Sequence, residues 1–177
     1  MRIETERLIL RPHMPADFED YFGYIMDGEL QQMLGLNGVV DRESALETFQ
    51  WLLDNGEFLA VVSRETGRVI GHICVQPPIE KVACALEFKG RRGASLSFAI
   101  AGTERRKGLM LEALKELIGQ RFREGAVDYF DCEYQAANAA SRGLQEQLGF
   151  WYWGEEQFGD VELIINILQK EGRDGAG

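Results

Sequence analysis

Two kinds of apolar periodicity alternate along this chain, and their order restricts the fold more than any other feature. Alternating apolar residues read as strands, and apolar residues at i, i+3 and i+4 read as helices. A first strand is expected at Thr5-Glu6-Arg7-Leu8-Ile9-Leu10-Arg11, stopping at Pro12. Pro15-Ala16-Asp17 opens a helix with Phe18, Tyr21, Phe22 and Ile25 at helical spacing. A turn is read from Gly35 to Gly38. Asp41 caps a second helix with the stripe Ala45, Phe49, Leu52 and Leu53, which Asn55-Gly56 ends. Strands follow at 58–62 and 69–75, joined by the hairpin turn Glu65-Thr66-Gly67-Arg68, and Pro77-Pro78 breaks the second. Residues 82–88 read as a short strand or a packed loop, and residues 89–93 as a loop. Then come a strand at 94–100, a helix at 108–122, a strand at 127–134, a helix at 138–148 and strands at 150–158 and 161–168. The order β-α-α-β-β-β-α-β-α-β-β is a mixed α/β layout, one sheet with helices on its faces.

Hydrophobic residues make up 45% of the 177, enough for one ordinary core. Residues 1–170 are therefore expected to form a single domain, and the polar, Gly-rich residues 171–177 a flexible tail. No stretch approaches about 20 uncharged apolar residues, so no membrane span is expected. The start, Met1-Arg2-Ile3-Glu4-Thr5-Glu6-Arg7, is charged where a signal peptide would need an apolar run. With 19 Lys+Arg against 29 Asp+Glu, the net charge of −10 argues against nucleic-acid binding, which needs a basic surface. It leaves room for an anion in a local basic pocket, because screening beyond about 8–10 Å lets a local cluster outweigh the total. Cys74, Cys84 and Cys132 are odd in number and widely spaced, which fits reduced cysteines in a cytoplasmic protein rather than a disulfide framework or a zinc site. His13 and His72 stand apart; no metal is expected, and His72 reads as structural.

The most informative segment is Gly102-Thr103-Glu104-Arg105-Arg106-Lys107-Gly108-Leu109-Met110-Leu111-Glu112-Ala113. A strand enters a basic turn and a helix starts at once. First-turn amides lack intrahelical partners, and with the helix dipole they favour a phosphate by roughly 0.3–1 kcal/mol, more when partly buried. Gly108 lets the backbone approach the ligand. The alternative is a helix start carrying solvated basic residues. Cations at a helix N-terminus are unfavourable unless an anion sits between them, which tips the reading toward a phosphate.

At this point the sequence resembles the GCN5-related N-acetyltransferases (GNAT), which move acetyl from acetyl-coenzyme A to an amine. The family's pyrophosphate loop reads Gln/Arg-x-x-Gly-x-Gly/Ala, and Arg105, Gly108 and Met110 occupy those positions. Leu111-Glu112-Ala113-Leu114 matches the usual Thr-Glu-Ala-Leu, and Asn138-x-x-Ser141-x-x-Leu144 with Gly149-Phe150 matches the downstream pattern. Glu4-Thr5-Glu6-Arg7-Leu8-x-Leu10-Arg11 looks like the start of the branch that includes ribosomal-protein alanine N-acetyltransferases. Four positions depart from the pattern: Met110 replaces a small residue, Arg106 stands where Gly is common, Ser95 replaces a frequent acid, and Gln145 replaces the tyrosine that often serves as general acid.

The resemblance implies a GNAT-like α/β (α+β) fold, a single mixed, mostly antiparallel, splayed sheet flanked by helices, with acetyl-coenzyme A as cosubstrate. The pyrophosphate falls to Arg105, Arg106, Lys107, Gly108, Leu109 and Met110. The pantetheine arm lies between the diverging ends of the strands 94–100 and 127–134, pairing with the backbone near Phe98, Ala99 and Ile100, where an amide serves as oxyanion donor. The acceptor ammonium, with a pKa near 10.4, costs roughly 4–5 kcal/mol to neutralise at pH 7, so a base is needed. Glu133 is the candidate base, directly or through water; its alternative is a solvated strand residue. Ser141 is the candidate donor on the thiol side, because Gln145 cannot protonate a thiolate; its alternative is helix packing. Asn138 is expected to bind the cofactor or strand backbone and to cap its helix. Glu112 reads as an N-terminal helix acid, Tyr134 as core or as a lining of the acceptor site, Trp151, Tyr152 and Trp153 as packing or cleft residues, and Arg91 and Arg92 as a solvated loop within reach of a 3′-phosphate. The expected partner is an amine, a peptide N-terminus or a small molecule; a homodimer is left open. The alternative is a domain of this fold that binds coenzyme A or a partner without turnover, a reading kept alive by Met110 and Gln145.

Overall fold

The computed structural model describes residues 2–33, 41–55 and 57–170. The turn expected at 35–38, Gly56 and the tail 171–177 lie outside them. Before Pro12 the sequence reads one strand, but the chain makes two, β1 (Ile3–Glu4) and β2 (Leu8–Pro12), antiparallel with Ile3 opposite Leu10. Thr5 is the reason. Its amide donates to the Leu8 carbonyl at 3.0 Å and its hydroxyl oxygen accepts from the Leu8 amide at 3.0 Å, closing a turn that sets Glu6 and Arg7 outside both strands.

A single 3-10 turn at Pro15–Asp17 leads into α1 (Phe18–Ile25). The helix α2 (Gly28–Met33) was not expected; Asp27 caps it, its Oδ1 accepting from the Leu30 amide at 2.8 Å. The helix α3 (Arg42–Asn55) starts as the sequence predicts, with Asp41 Oδ1 accepting from the Ser44 amide at 2.8 Å. The strands β3 (Glu57–Ser63) and β4 (Val69–Gln76) form the expected hairpin. Residues 79–93 are a packed loop with one helical turn, α4 (Glu80–Ala83), and Val82 and Phe88 are buried. There follow β5 (Gly93–Ile100), α5 (Leu109–Arg123), β6 (Tyr129–Gln135), α6 (Ala139–Leu148), β7 (Trp151–Phe158) and β8 (Val161–Gln169).

The strands form one open sheet in the order β1-β2-β3-β4-β5-β6-β8-β7. The pairs β1–β2, β2–β3, β3–β4, β6–β8 and β7–β8 are antiparallel, while β5 and β6 are parallel with Gly93 opposite Tyr129 and Ser95 opposite Asp131. This is the mixed, mostly antiparallel sheet with flanking helices that the sequence led us to expect.

The chain packs as two compact units, one from residues 1–76 and 97–117, the other from 77–96 and 118–177. In the first, Phe18, Tyr21 and Phe49 from α1 and α3 pack on Phe58 of β3. Each such ring buried contributes on the order of 1.5–3 kcal/mol. His13 stacks on Phe58 at 4.1 Å, and His72 Nδ1 and the Tyr24 hydroxyl share a hydrogen bond of 2.8 Å, so both histidines belong to this core. In the second unit the core is Val82, Phe88, Tyr129, Ile165 and Ile167, with Trp153 packed against it.

Candidate functional site

In the first unit β5 passes through one 3-10 turn, Gly102–Glu104, into the basic loop before α5. Arg106 (φ 61°) and Gly108 (φ 75°) both lie in the left-handed region, and Arg106 is the one described non-glycine residue that does. Such a conformation costs of order 1–3 kcal/mol and persists where the surroundings impose it. The first intrahelical bond of α5 is from the Glu112 amide to the Gly108 carbonyl at 3.0 Å. The amides of Leu109, Met110 and Leu111 thus lack intrahelical acceptors, and Gly108 has no side chain to cap them. A Cβ placed on Gly108 would meet only Arg7 Nη2, at 3.7 Å. Unclaimed amides, an open glycine and adjacent cations fit a diphosphate.

Two of the three loop cations are paired with carboxylates. Arg105 is paired with Asp27 at 3.3 Å and with Glu29, and Lys107 with Glu104 at 2.9 Å. Arg106 is exposed and has no ion pair among the described residues. The sequence reading missed Arg7, whose Nη1 donates to the Lys107 carbonyl at 2.9 Å. Glu112 accepts from the Thr5 hydroxyl at 2.6 Å, the Arg7 amide at 2.9 Å and Arg7 Nε at 2.6 Å. Burial would raise the Glu112 pKa, but these hydrogen bonds hold it below the usual glutamate value. Met110 lies on the buried stripe of α5 with Ala113, Leu114 and Leu117, and Leu109 is also buried. On β5, Ala99 is buried while Phe98 and Ile100 are half-buried, and the Ala101 amide donates to the Ile70 carbonyl at 2.8 Å.

In the second unit β6 carries Glu133 at an exposed position, on the same strand face as Asp131. Partial desolvation, then the charge of Glu156, raises the Glu133 pKa, which strengthens it as a base. Asp131 is completely buried. Its Oδ2 accepts from the Ile79 amide at 3.1 Å, and Oδ1 has no partner among the described residues. Burial raises its pKa to about 6 against hydrogen bonds from Ser95 and Ile79, with the Glu133 charge adding to the rise. The acid missing at position 95 thus has a counterpart directly across the β5–β6 pair. The sequence reading passed over Asp131; its alternation with Glu133, Asp131-x-Glu133, is the signal that could have found it.

Asn138 caps α6, its Oδ1 accepting from the Ser141 amide at 3.0 Å. Gln145 is completely buried. Its Nε2 donates to Ser141 Oγ at 3.2 Å and to Cys132 Sγ at 3.1 Å, and its Oε1 accepts from Asn166 Nδ2 at 3.0 Å. The Ser141 oxygen therefore acts as an acceptor toward Gln145, and the hydroxyl proton remains available to a further group. Arg91 and Arg92, read as a solvated loop, are held within this unit: Arg91 donates to Gln169 at 2.8 Å, and Arg92 pairs with Asp128 at 2.7 Å. Tyr134 is buried, as expected; Trp151 and Tyr152 are exposed, and Trp153 Nε1 donates to Glu87 at 2.9 Å.

The first unit thus contains residues 98–100 and 105–110, and the second contains Glu133 and Asp131 on one strand face and Asn138 bonded to Ser141, whose hydroxyl accepts from Gln145. Among the described residues no cluster of His, Cys, Asp and Glu has metal-binding geometry, and no helix is long and apolar enough to cross a membrane.

The fold has many structural counterparts. An acetyltransferase of the GNAT family from Bacillus anthracis matches with a TM-score of 0.81 at 18% identity, over 96% of this chain and 98% of that one. The ribosomal L7/L12 α-N-protein acetyltransferase, in an apo crystal form, matches with a TM-score of 0.78 at 14% identity, over 96% and 94%. The ribosomal-protein-S5-alanine acetyltransferase from Vibrio fischeri matches with a TM-score of 0.72 at 15% identity, over 97% of each chain. At these identities the likeness shows the fold. A comparison with curated proteins finds no match. The family model described as "Acetyltransferase (GNAT) domain" matches residues 7–151, from the arginine that holds the basic loop to the first residue of β7, and on that match the chain belongs to the GNAT acetyltransferase family.

Proposed function

We propose that this protein transfers acetyl from acetyl-coenzyme A directly to a primary amine. The observation that carries the reading is the loop before α5: left-handed backbone at Arg106 and Gly108, with three first-turn helix amides that have no acceptor among the described residues. These amides hold the pyrophosphate, with Arg106 the loop cation that has no ion pair among the described residues. Arg105 and Lys107 keep the loop in place through Asp27, Glu29 and Glu104 and set the local field.

The cosubstrate supplies an acetyl group activated as a thioester. An N–H within Phe98, Ala99 and Ile100 donates to the acetyl oxygen as it gains charge. Glu133 takes the proton of the acceptor ammonium, directly or through a water, and its raised pKa suits it to the task. Ser141 donates its hydroxyl proton as a hydrogen bond on the leaving-sulfur side, with its oxygen held by Gln145. Asn138 fixes the start of α6 and so places Ser141.

Two structural counterparts are named for acetylating ribosomal proteins, which puts a peptide α-amine ahead of a small amine as the first acceptor to try. The test is thiol release from acetyl-coenzyme A over a panel of peptide N-termini and small amines. Release that depends on one class supports the reading and names the acceptor. Tight coenzyme A binding with no release from any acceptor would replace it with a binding module.

A further inference from the structure

Glu112 presents a puzzle. It stands at the fourth residue of α5, one turn from the amides proposed to hold a diphosphate, and its hydrogen bonds keep it ionised. A carboxylate near a helix N-terminus favours the helix, but it repels a second anion at the same place. We propose that Arg7 is a positioning residue for the cosubstrate: it cancels the Glu112 charge and fixes the Lys107 carbonyl, so that the start of α5 accepts an anion. The inference rests on the cosubstrate reading given above.

The geometry has two parts. Arg7 Nε reaches Glu112 Oε2 at 2.6 Å while its amide reaches Oε1 at 2.9 Å, so both carboxylate oxygens are satisfied from one residue. The same guanidinium holds the Lys107 carbonyl through Nη1 at 2.9 Å. That carbonyl belongs to the residue between the two left-handed positions, so the bond pins the peptide whose orientation sets the loop. Nη2 lies beside the Gly108 backbone, 3.7 Å from where a Cβ would stand. Thr5 adds a third donor to Glu112, and Thr5 also closes the turn that sets Arg7 outside β1 and β2. The turn that splits the first strand in two therefore serves to deliver Arg7 to the loop.

A charge-cancelling role makes an unusual pattern of effects on binding. Arg7→Gln leaves Glu112 uncompensated and should weaken coenzyme A about tenfold at low salt, less at high salt, as screening reduces the repulsion. Glu112→Gln frees the Arg7 charge and should bind as tightly as the unsubstituted protein or a few-fold tighter. Arg7→Gln combined with Glu112→Gln should recover most of the loss. The experiment is calorimetric titration of coenzyme A into the four proteins at two salt concentrations, each checked by far-UV circular dichroism. Arg7→Gln binding like the unsubstituted protein would overturn the inference while leaving the cosubstrate reading intact. A double variant no better than Arg7→Gln would overturn charge cancellation, since a purely structural arginine gives that result. No binding by the unsubstituted protein would overturn both this inference and the reading beneath it.

Discussion

Acidification acts on two histidines, His13 and His72, that are buried in the aromatic core of the first unit. Burial, offset in part by Asp17 at 3.4 Å, lowers the His13 pKa to about 4, and burial followed by the charge of His13 lowers His72 to about 3. Both folded values lie below the unfolded value near 6.5, so the unfolded chain binds more protons in this window, and stability falls as pH falls from 6.5 toward the folded values. At pH 5 each unfolded histidine is about 1.5 pH units below its pKa while each folded one remains mostly neutral. The loss between pH 7 and pH 5 is then about 2 kcal/mol per histidine, or about 4 kcal/mol for the pair. Asp131 works in the opposite direction. Its folded pKa of about 6 lies above the unfolded value, so it adds roughly 1 kcal/mol over the same interval, and this contribution cancels when a histidine variant is compared with the parent. His13→Phe is the informative variant. Neither ring nitrogen of His13 has a hydrogen-bond partner among the described residues, so a phenyl ring keeps the stack on Phe58 without orphaning a polar group. Urea unfolding followed by circular dichroism at pH 7 and pH 5 should show the pH-dependent loss smaller by about 2 kcal/mol in the variant, about 1 M in midpoint at an m-value near 2 kcal/mol/M. An equal loss in both proteins would mean that His13 is not held neutral by burial, and the reasoning would fail at its first step.

Three other substitutions probe separate parts of the molecule. Gly71→Ala would set a Cβ inside van der Waals contact of the Ala99 carbonyl oxygen and 3.0 Å from Ile100 Cα, so it should destabilise by about 1–3 kcal/mol in urea unfolding and weaken coenzyme A binding; an unchanged midpoint would refute the tight approach of β4 and β5. Gln145→Leu strips Ser141, Cys132 and Asn166 of their shared partner and should cost about 1–3 kcal/mol, measured in the same way, with less than 0.5 kcal/mol counting against the buried network. Glu133→Gln should slow turnover more at pH 7 than at pH 9, where the acceptor amine is already partly neutral, and an equal loss at both would remove Glu133 as the base.

The elements the sequence revealed are those whose cause is local. Asp41 and Asn138 each cap the helix that follows, and Gly67 supplies the left-handed residue of the β3–β4 turn. The failures are cases where a distant partner or a competing local bond decides. The run from Thr5 to Arg11 reads as one strand because it leads into the apolar Leu8-Ile9-Leu10, yet the Thr5 hydroxyl takes the Leu8 amide and closes a turn before it. The helix α2 is only six residues long and has just one buried apolar side chain, Leu30, so its periodicity is too faint to register. Residues 79–93 show no pattern because their apolar side chains, Val82 and Phe88, are fixed by β6 and β8 rather than by any period of their own.

The same division runs through the candidate site. Backbone features were legible: a glycine before an apolar helical stripe is enough to announce open amides at its start. Charge was not, because a basic run says nothing about which cations have already found carboxylates. Arg105 and Lys107 are spent on Asp27, Glu29 and Glu104, residues lying between 3 and 78 positions away, and the guanidinium nearest the glycine comes from position 7. The substitution at Gln145 carries a related lesson. From sequence it is a catalytic tyrosine replaced by an amide; in the fold it is an interior side chain whose two donors and one acceptor are all engaged. A residue in that situation cannot supply a proton, but it can decide which way a neighbouring hydroxyl points. If Ser141 assists the leaving sulfur, the chemistry has moved one helical turn along α6, from position 145 to 141, and the buried amide is what holds it there.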